Sequence, residues 1–505
     1  MNYVETDKNP GKVKISEIPV LEYPVFLSEM DELFKNESNH CLNYFAYSLQ
    51  NRFKFICCIG CDETKSIRIF SHEQVKKEKI NIESLTRKYF QFHLFEREIQ
   101  ENTGIDFEGH PWLKPVRYPV NRADSGQVMN NYPFYSIKGE ELHEVGVGPI
   151  HAGIIEPGYF RFICNGEKVL HLEIQLGYQH RGLECLMVNK KSMIQKAILS
   201  ESIGDTVIGH SLCHAGLMET MAGIRIPDQL QLERMVALEM ERVAVHIGDT
   251  AALCNDIAYQ FGQVVNEALR TIVINSMQLW CGNRFGKGLI RPGGSHYPLY
   301  PEIIKRILDN LKETEERYLQ MTARLFSMPS ALSRFEAIGK VTAEQVSMIG
   351  AVGMAARSSG LKRDIRWSHP LGGNKDHPYD PVILYKCDVL SRVILRKMEV
   401  EKSIAIIREL IRLIQKQQDT EPVTKPNCEV NLDPDTFAIS LVEGWRGEIC
   451  HTAITDENSN LIQYKVKDPS FHNWMALALA VRGQEISDFP LCNKSYNLSY
   501  CGHDL

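Results

Sequence analysis

The chain has 505 residues, 44% hydrophobic and 24% charged, a globular composition that excludes collagen-like and disordered classes. Its 57 Lys+Arg against 63 Asp+Glu leave a net charge of −6 without a basic block, which excludes a dedicated nucleic-acid binder. No apolar run approaches the ~20 residues that span a bilayer, and the opening MNYVETDKNPGK lacks the apolar core of a signal peptide. The chain is therefore expected in the cytosol, or at a membrane only through partners. Fourteen cysteines in such a chain read as thiols or metal ligands rather than a disulfide framework, and only Cys57, Cys58 and Cys61 lie close together.

Residues 1–115 read as a small α/β domain. FKFICCIG (53–60) has the look of a buried strand, and 84–103 shows helical periodicity with a stop at Gly104. Residues 116–144, rich in Pro and Asn, read as a linker. The body, 145–505, opens with strands at 159–164 and 168–176 around Asn165-Gly166, a strong hairpin signal. The period then turns helical, with helices expected at 186–203, 208–222, 228–253, 258–281, 299–326 and 386–417. The 228–253 helix is apolar nearly all round, hence central to a bundle. A further helix at 472–485 is expected to lead into an irregular tail. The fold class is α+β: a small α/β domain, then a mainly α-helical body with a β-hairpin at its start.

Several strings carry a resemblance. They are Gly148-Pro149-Ile150-His151 with Glu156-Pro157-Gly158, the run GYQHRGLE (177–184), and Glu239, Glu241, Arg242 and His246 on one helix. Asp364-Ile365-Arg366 and Arg446-Gly447-Glu448 complete the set. Their order resembles the large subunit of energy-converting Ni–Fe hydrogenases and the homologous subunit of respiratory complex I. FEREIQENTGIDFEGHPW (95–112) resembles the small complex I subunit that some of these proteins carry fused in front.

The resemblance implies two CxxC pairs for the metals, because soft thiolates suit nickel and low-spin iron. The matching positions are Ile203 and Thr206, then Ser499 and Gly502, so a Ni–Fe centre of the family type is not expected. The His and Tyr that cradle a quinone head in complex I are replaced by Ile155 and Gly204.

Other matches remain. Arg181 corresponds to an arginine facing the terminal iron–sulfur cluster of a partner subunit, where a guanidinium raises the cluster potential; the plainer reading is a surface pair with Glu184. Glu156 corresponds to a proton-passing acid, or else bonds backbone at the hairpin start. Arg446 corresponds to the arginine over the hydrogenase metal site, or else braces its loop through Glu443 or Glu448. His151, Asp364 and Arg366 are the remaining cofactor-side matches. Glu239, Arg242 and His246 share one helix face and must be paired, with Asp364 and Arg366 extending that network.

His210 and His214 lie at i, i+4 near Asp205. With Cys213, Cys492, Cys501 and His503 they could rebuild a zinc or iron site, of which His210, His214 and Cys501 are the ligands to check. Cys58 and Cys61 read as buried thiols. The implied function is a subunit of a membrane-associated oxidoreductase complex of the NADH-quinone oxidoreductase or energy-converting hydrogenase type. It would serve as a peripheral subunit on the cytoplasmic side of the inner membrane, with NAD and quinone binding in the complex as a whole. Electrons would come from an iron–sulfur small subunit, beside integral membrane subunits and without nucleic acid. The acceptor would be a quinone or another metal, with Glu156, Arg446, His210 and Asp205 as catalytic candidates. The alternative is a catalytically silent coupling subunit of an ion-translocating complex.

Overall fold

The computed structural model describes residues 1–151, 156–371, 379–416, 425–426 and 430–505. In the N-terminal domain, Arg52–Cys61 lies between Asn39–Ser48 and Ser66–Val75 in a five-stranded sheet. Its FICCIG run is buried on both faces. Phe55, Cys57 and Ile59 pack with Phe26 and Phe70 under the Tyr23–Leu33 helix. Ile56 and Cys58 pack instead with Phe437, Ile439 and Leu441 of the body. A strand covered on both sides loses its polar alternation, which explains the continuous apolar run. The N-terminus also enters the body directly: Gly11–Lys14 pairs with Thr436–Glu443, Val13 facing Phe437.

The Asn165-Gly166 hairpin forms as expected, with Tyr159–Asn165 paired to Lys168–Gln175. The end of the expected linker adds a third strand, Leu142–Val147. The central helix Asp228–Asp256 runs against Val389–Lys416 and Gln260–Cys281, and Pro301–Phe326 closes the bundle.

Four local expectations change. The 84–103 helix starts only at His93, because the buried Glu96 carboxylate accepts from Leu85 N, Thr86 N and the Ser84 and Thr86 hydroxyls and turns the chain. The 186–203 helix divides at Lys190-Lys191-Ser192 into Leu183–Asn189 and Met193–Ser200. The tail beyond 485 is not irregular: it forms helices Phe489–Tyr496 and Tyr500–Asp504. An antiparallel sheet of Thr436–Glu443, Glu448–Thr455 and Leu461–Lys467 was not expected, and it carries much of the site. The Val207–Met221 helix lies across it.

Candidate functional site

The site is built around the turn 444–447, which joins two strands of that sheet. Gly447 packs so tightly on Gly353 that a Cβ on Gly353 would lie 2.1 Å from the Gly447 Cα, and Gly353 itself has φ +59°. No residue but glycine fits there without moving backbone. Met354 N donates to the Arg446 carbonyl at 3.3 Å, which fixes the turn. The Arg446 side chain, 2% exposed, grips both oxygens of Asp205 and donates through Nε to the Asn497 carbonyl. Neither loop-bracing partner considered from sequence is used. Glu448 instead pairs with His40 and Lys467, which hold it below the usual carboxylate range against the opposing effect of burial.

The two segments that would carry the metal thiolates do meet. Cβ on Gly204 would lie 3.4 Å from both Gly502 Cα and Ser499 Oγ. Ile203 is fully buried, and Ser499 Oγ accepts from Gly502 N at 2.9 Å. Ile and Gly offer no donor side chain, and the Ser499 hydroxyl is spent on its helix cap. The donor set does not fit a Ni–Fe centre. Gly204 likewise offers a quinone nothing beyond backbone, and Ile155 lies outside the described residues.

Glu156 accepts from Cys501 N at 3.1 Å and from the Cys501 thiol at 3.4 Å. Burial, then the Glu156 charge, push that thiol up to about 12, so it stays protonated. His151 hydrogen-bonds the Gly158 carbonyl at 2.9 Å. Arg181 does not pair with Glu184, which goes to Lys465 at 2.9 Å. Its guanidinium donates to the carbonyls of Ser202, Ile203 and Cys501, joining both metal-side segments. Beside it, a surface cavity of about 580 Å³ is lined by Glu98, Arg117, His180, Glu184 and Tyr464 among others.

The rebuilt metal site does not assemble. His210 and His214 do not turn toward Cys501: His210 bonds Asp468 and His451, and His214 bonds Tyr464. Cys213 donates to the Ser440 carbonyl, Cys492 packs beneath Gly339, and His503 pairs with Asp504. His210, His214, Cys213 and His503 are each committed to these other partners. Among the described residues no cluster of three His, Cys, Asp or Glu converges as for a metal ion. Cys58 and Cys61 are buried in the core sheet.

The expected polar network is present and larger than its sequence traces. Arg242 donates to Glu239 at 3.1 Å, and Arg366 to Asp364 at 2.7 Å and Glu399 at 3.1 Å. Arg357 reaches Glu399 at 2.8 Å, and His246 Nε2 lies 3.9 Å from Glu399. Despite burial, Arg357 and Arg366 hold Glu399 well below the carboxylate range. Burial, then Asp364, push Glu443 up to about 8. With Glu443 neutral, Arg242, Arg357 and Arg366 balance Glu239, Asp364 and Glu399.

Sequence reasoning missed Arg357, Glu399, His451, Tyr464 and Asp468. Glu399 had a signal, a charge inside the apolar face of the 389–416 helix. The other four gain meaning only from partners remote in sequence.

Two family models match this chain. Residues 21–123 match the 30 kDa subunit of respiratory-chain NADH dehydrogenase, and residues 262–504 its 49 kDa subunit. Hydrogenase-4 component G of Escherichia coli is 25% identical over 77% of this chain and 67% of its own length. Formate hydrogenlyase subunit 5 of the same organism is 27% identical over 73% and 64%. The chain thus spans about two thirds of the length of these two relatives. NADH-quinone oxidoreductase subunit 4 of Thermus thermophilus is 23% identical over 69% and 90%. A chain from the structure of the membrane-bound sulfane sulfur reductase, an archaeal respiratory membrane complex, shares the fold with a TM-score of 0.67 at 20% identity, covering 74% of this chain and all of that one. Among the described residues, no helix is long and apolar enough to cross a membrane. The chain thus carries a stretch similar to the 30 kDa subunit and a stretch similar to the 49 kDa subunit in one polypeptide, and it resembles the large subunits of energy-converting hydrogenases and complex I, without the Ni–Fe cysteine ligands.

Proposed function

We propose that this chain is the large peripheral subunit of a membrane-associated oxidoreductase complex, docked on the cytoplasmic side against integral membrane subunits and an iron–sulfur subunit. It exchanges electrons with the partner's cluster at a site that uses no Ni–Fe centre. Arg181 carries the reading. Its charge meets three carbonyls and, among the described residues, no carboxylate, and it is tied to both segments of the former metal site while facing solvent. An unneutralised guanidinium at that rim favours the reduced, more negative form of a docked cluster.

The test is anaerobic purification of the native complex, with metal analysis and redox titration of the terminal cluster. Arg181→Met should lower the cluster midpoint. An unchanged midpoint, or stoichiometric nickel, would overturn the reading. For the acceptor we propose a quinone-like molecule beside Arg446 and Asp205, rather than any metal. Quinone should be extractable from the complex, and its reduction should fail in Arg446→Ala. The close packing of Gly204 on Gly502 favours a second reading, a catalytically silent coupling subunit. Under that reading no acceptor co-purifies and Arg446→Ala leaves electron flow intact.

A further inference from the structure

Behind Arg446, five buried groups form one unbroken hydrogen-bonded line between the 207–221 helix and the sheet, one end of it at Asp468 just past the Leu461–Lys467 strand. Asp468 Oδ2 lies 3.0 Å from His210 Nε2, and His210 Nδ1 lies 3.0 Å from His451 Nε2. His451 Nδ1 lies 2.8 Å from the Tyr464 hydroxyl, which lies 2.9 Å from His214 Nδ1. All three imidazoles are fully buried. His214 Nε2, at the end, is buried with no hydrogen-bond partner. Asp468 abuts Gly502, one of the vacated thiolate positions: a Cβ there would lie 2.8 Å from its carboxylate.

We propose that Asp468, His210, His451, Tyr464 and His214 are a proton relay that delivers protons to the face of the site where Gly502 stands. The proposal rests on the electron-handling reading for its purpose and on this geometry for its existence. An ionised Asp468 fixes the polarity of the whole line, because each contact must hold one proton. His210 donates from Nε2 to Asp468, and its bare Nδ1 accepts from His451 Nε2–H. His451 Nδ1 accepts from the Tyr464 hydroxyl, whose oxygen accepts from His214 Nδ1–H. A proton arriving at His214 Nε2 therefore moves no charge-bearing atom. His214 passes its Nδ1 proton to Tyr464, Tyr464 its own to His451, His451 its Nε2 proton to His210, and His210 its Nε2 proton to Asp468. One proton enters, one appears on the carboxylate, and every N–H and O–H in between is replaced.

The setting suits this task. Burial holds His214 at about 3, and burial and then His210 hold His451 well below its usual value, so neither of these two imidazoles traps the proton. Against the opposing effect of burial, the His210 bond keeps Asp468 low, with Arg446 assisting. The charged or titratable neighbours are Lys196 and Arg291 toward His214, Glu184 toward Tyr464, and Cys213 and Cys450 between the helix and the sheet.

Exchange of the ring protons tests the relay without any electron acceptor. In the full chain with 15N-labelled histidine placed in D2O, the His210 and His451 ring protons should exchange at least tenfold faster than the His451 backbone amide. Tyr464→Phe, which keeps the ring and removes the bridging oxygen, should slow them at least tenfold while amide exchange is unchanged. His214→Gln, which removes the entry nitrogen, should do the same, and it decides the matter if the first variant does not fold. Ring protons that exchange no faster than the amide in the unsubstituted chain would overturn the proposal, as would fast exchange that survives both substitutions. The cluster titration and quinone extraction above fail or succeed independently of this result.

Discussion

Glu443→Gln isolates the buried charge balance beside the central helix. Glu443 accepts from Ile365 N at 3.0 Å through Oε2, while Oε1 is buried without a hydrogen-bond partner and lies 3.6 Å from Arg357. Burial and the Asp364 charge raise it from 4.5 to about 8, so the folded chain keeps a proton that the unfolded chain releases near 4.5. Between those values the folded state binds more protons, and stability from this group falls as pH rises, by about 1.4 kcal/mol per pH unit. From about pH 6 to about pH 8 the expected loss is therefore ~2–3 kcal/mol. Gln carries the same shape without the ionisation. In urea unfolding of the chain and of Glu443→Gln, the lead of the variant should grow by about 2 kcal/mol between about pH 6 and about pH 8, the two curves converging only below the unfolded value near 4.5. Taking the difference cancels every other titrating group. Parallel curves, or a variant that falls further behind with rising pH, would refute the three-against-three balance.

Two further substitutions probe the scaffold of the site. Gly353→Ala drives a methyl into Gly447 at a positive φ and should cost about 2–4 kcal/mol, read by urea unfolding, with loss of any Arg446-dependent activity. Glu399→Leu removes the carboxylate shared by Arg357, Arg366 and His246 and should cost about 3–5 kcal/mol, enough to abolish soluble folded protein.

Much of the fold is legible in sequence where one element suffices. The hairpin follows from Asn165-Gly166, and the long helices from their periodicity. The bundle's polar stripe follows from the spacing of Glu239, Arg242 and His246. The 436–467 sheet was invisible because its first two strands are buried on both faces and so lack alternation. The tail helices are eight and five residues long and contain Cys, Asn, Ser and Tyr, poor helix formers. They are held by the Ser499 cap and by burial, not by propensity. The site was half legible for the same reason. Arg446 and Asp205 could each be singled out, but their pairing spans 241 residues, as does that of His210 with His451.

Losing the thiolates while retaining the arginines has an asymmetric physical basis. A cysteine without its metal is a small neutral thiol, and Ile203 or Ser499 replaces it at little cost. An arginine in the Glu239–Glu399–Asp364 cluster cannot be lost alone, because each removal strands a buried carboxylate at several kcal/mol. That cluster would persist on stability grounds even in a chain with no redox role. Arg181 differs. It donates only to carbonyls, it is solvent-facing, and its loss would strand no carboxylate among the described residues. A surface cation of that kind is worth about 1 kcal/mol or less to the fold. If Arg181→Met leaves stability nearly unchanged yet lowers the midpoint of the docked cluster, the charge serves electron transfer. If it costs stability and leaves the midpoint alone, Arg181 is a brace between Ile203 and Cys501, and the silent reading gains.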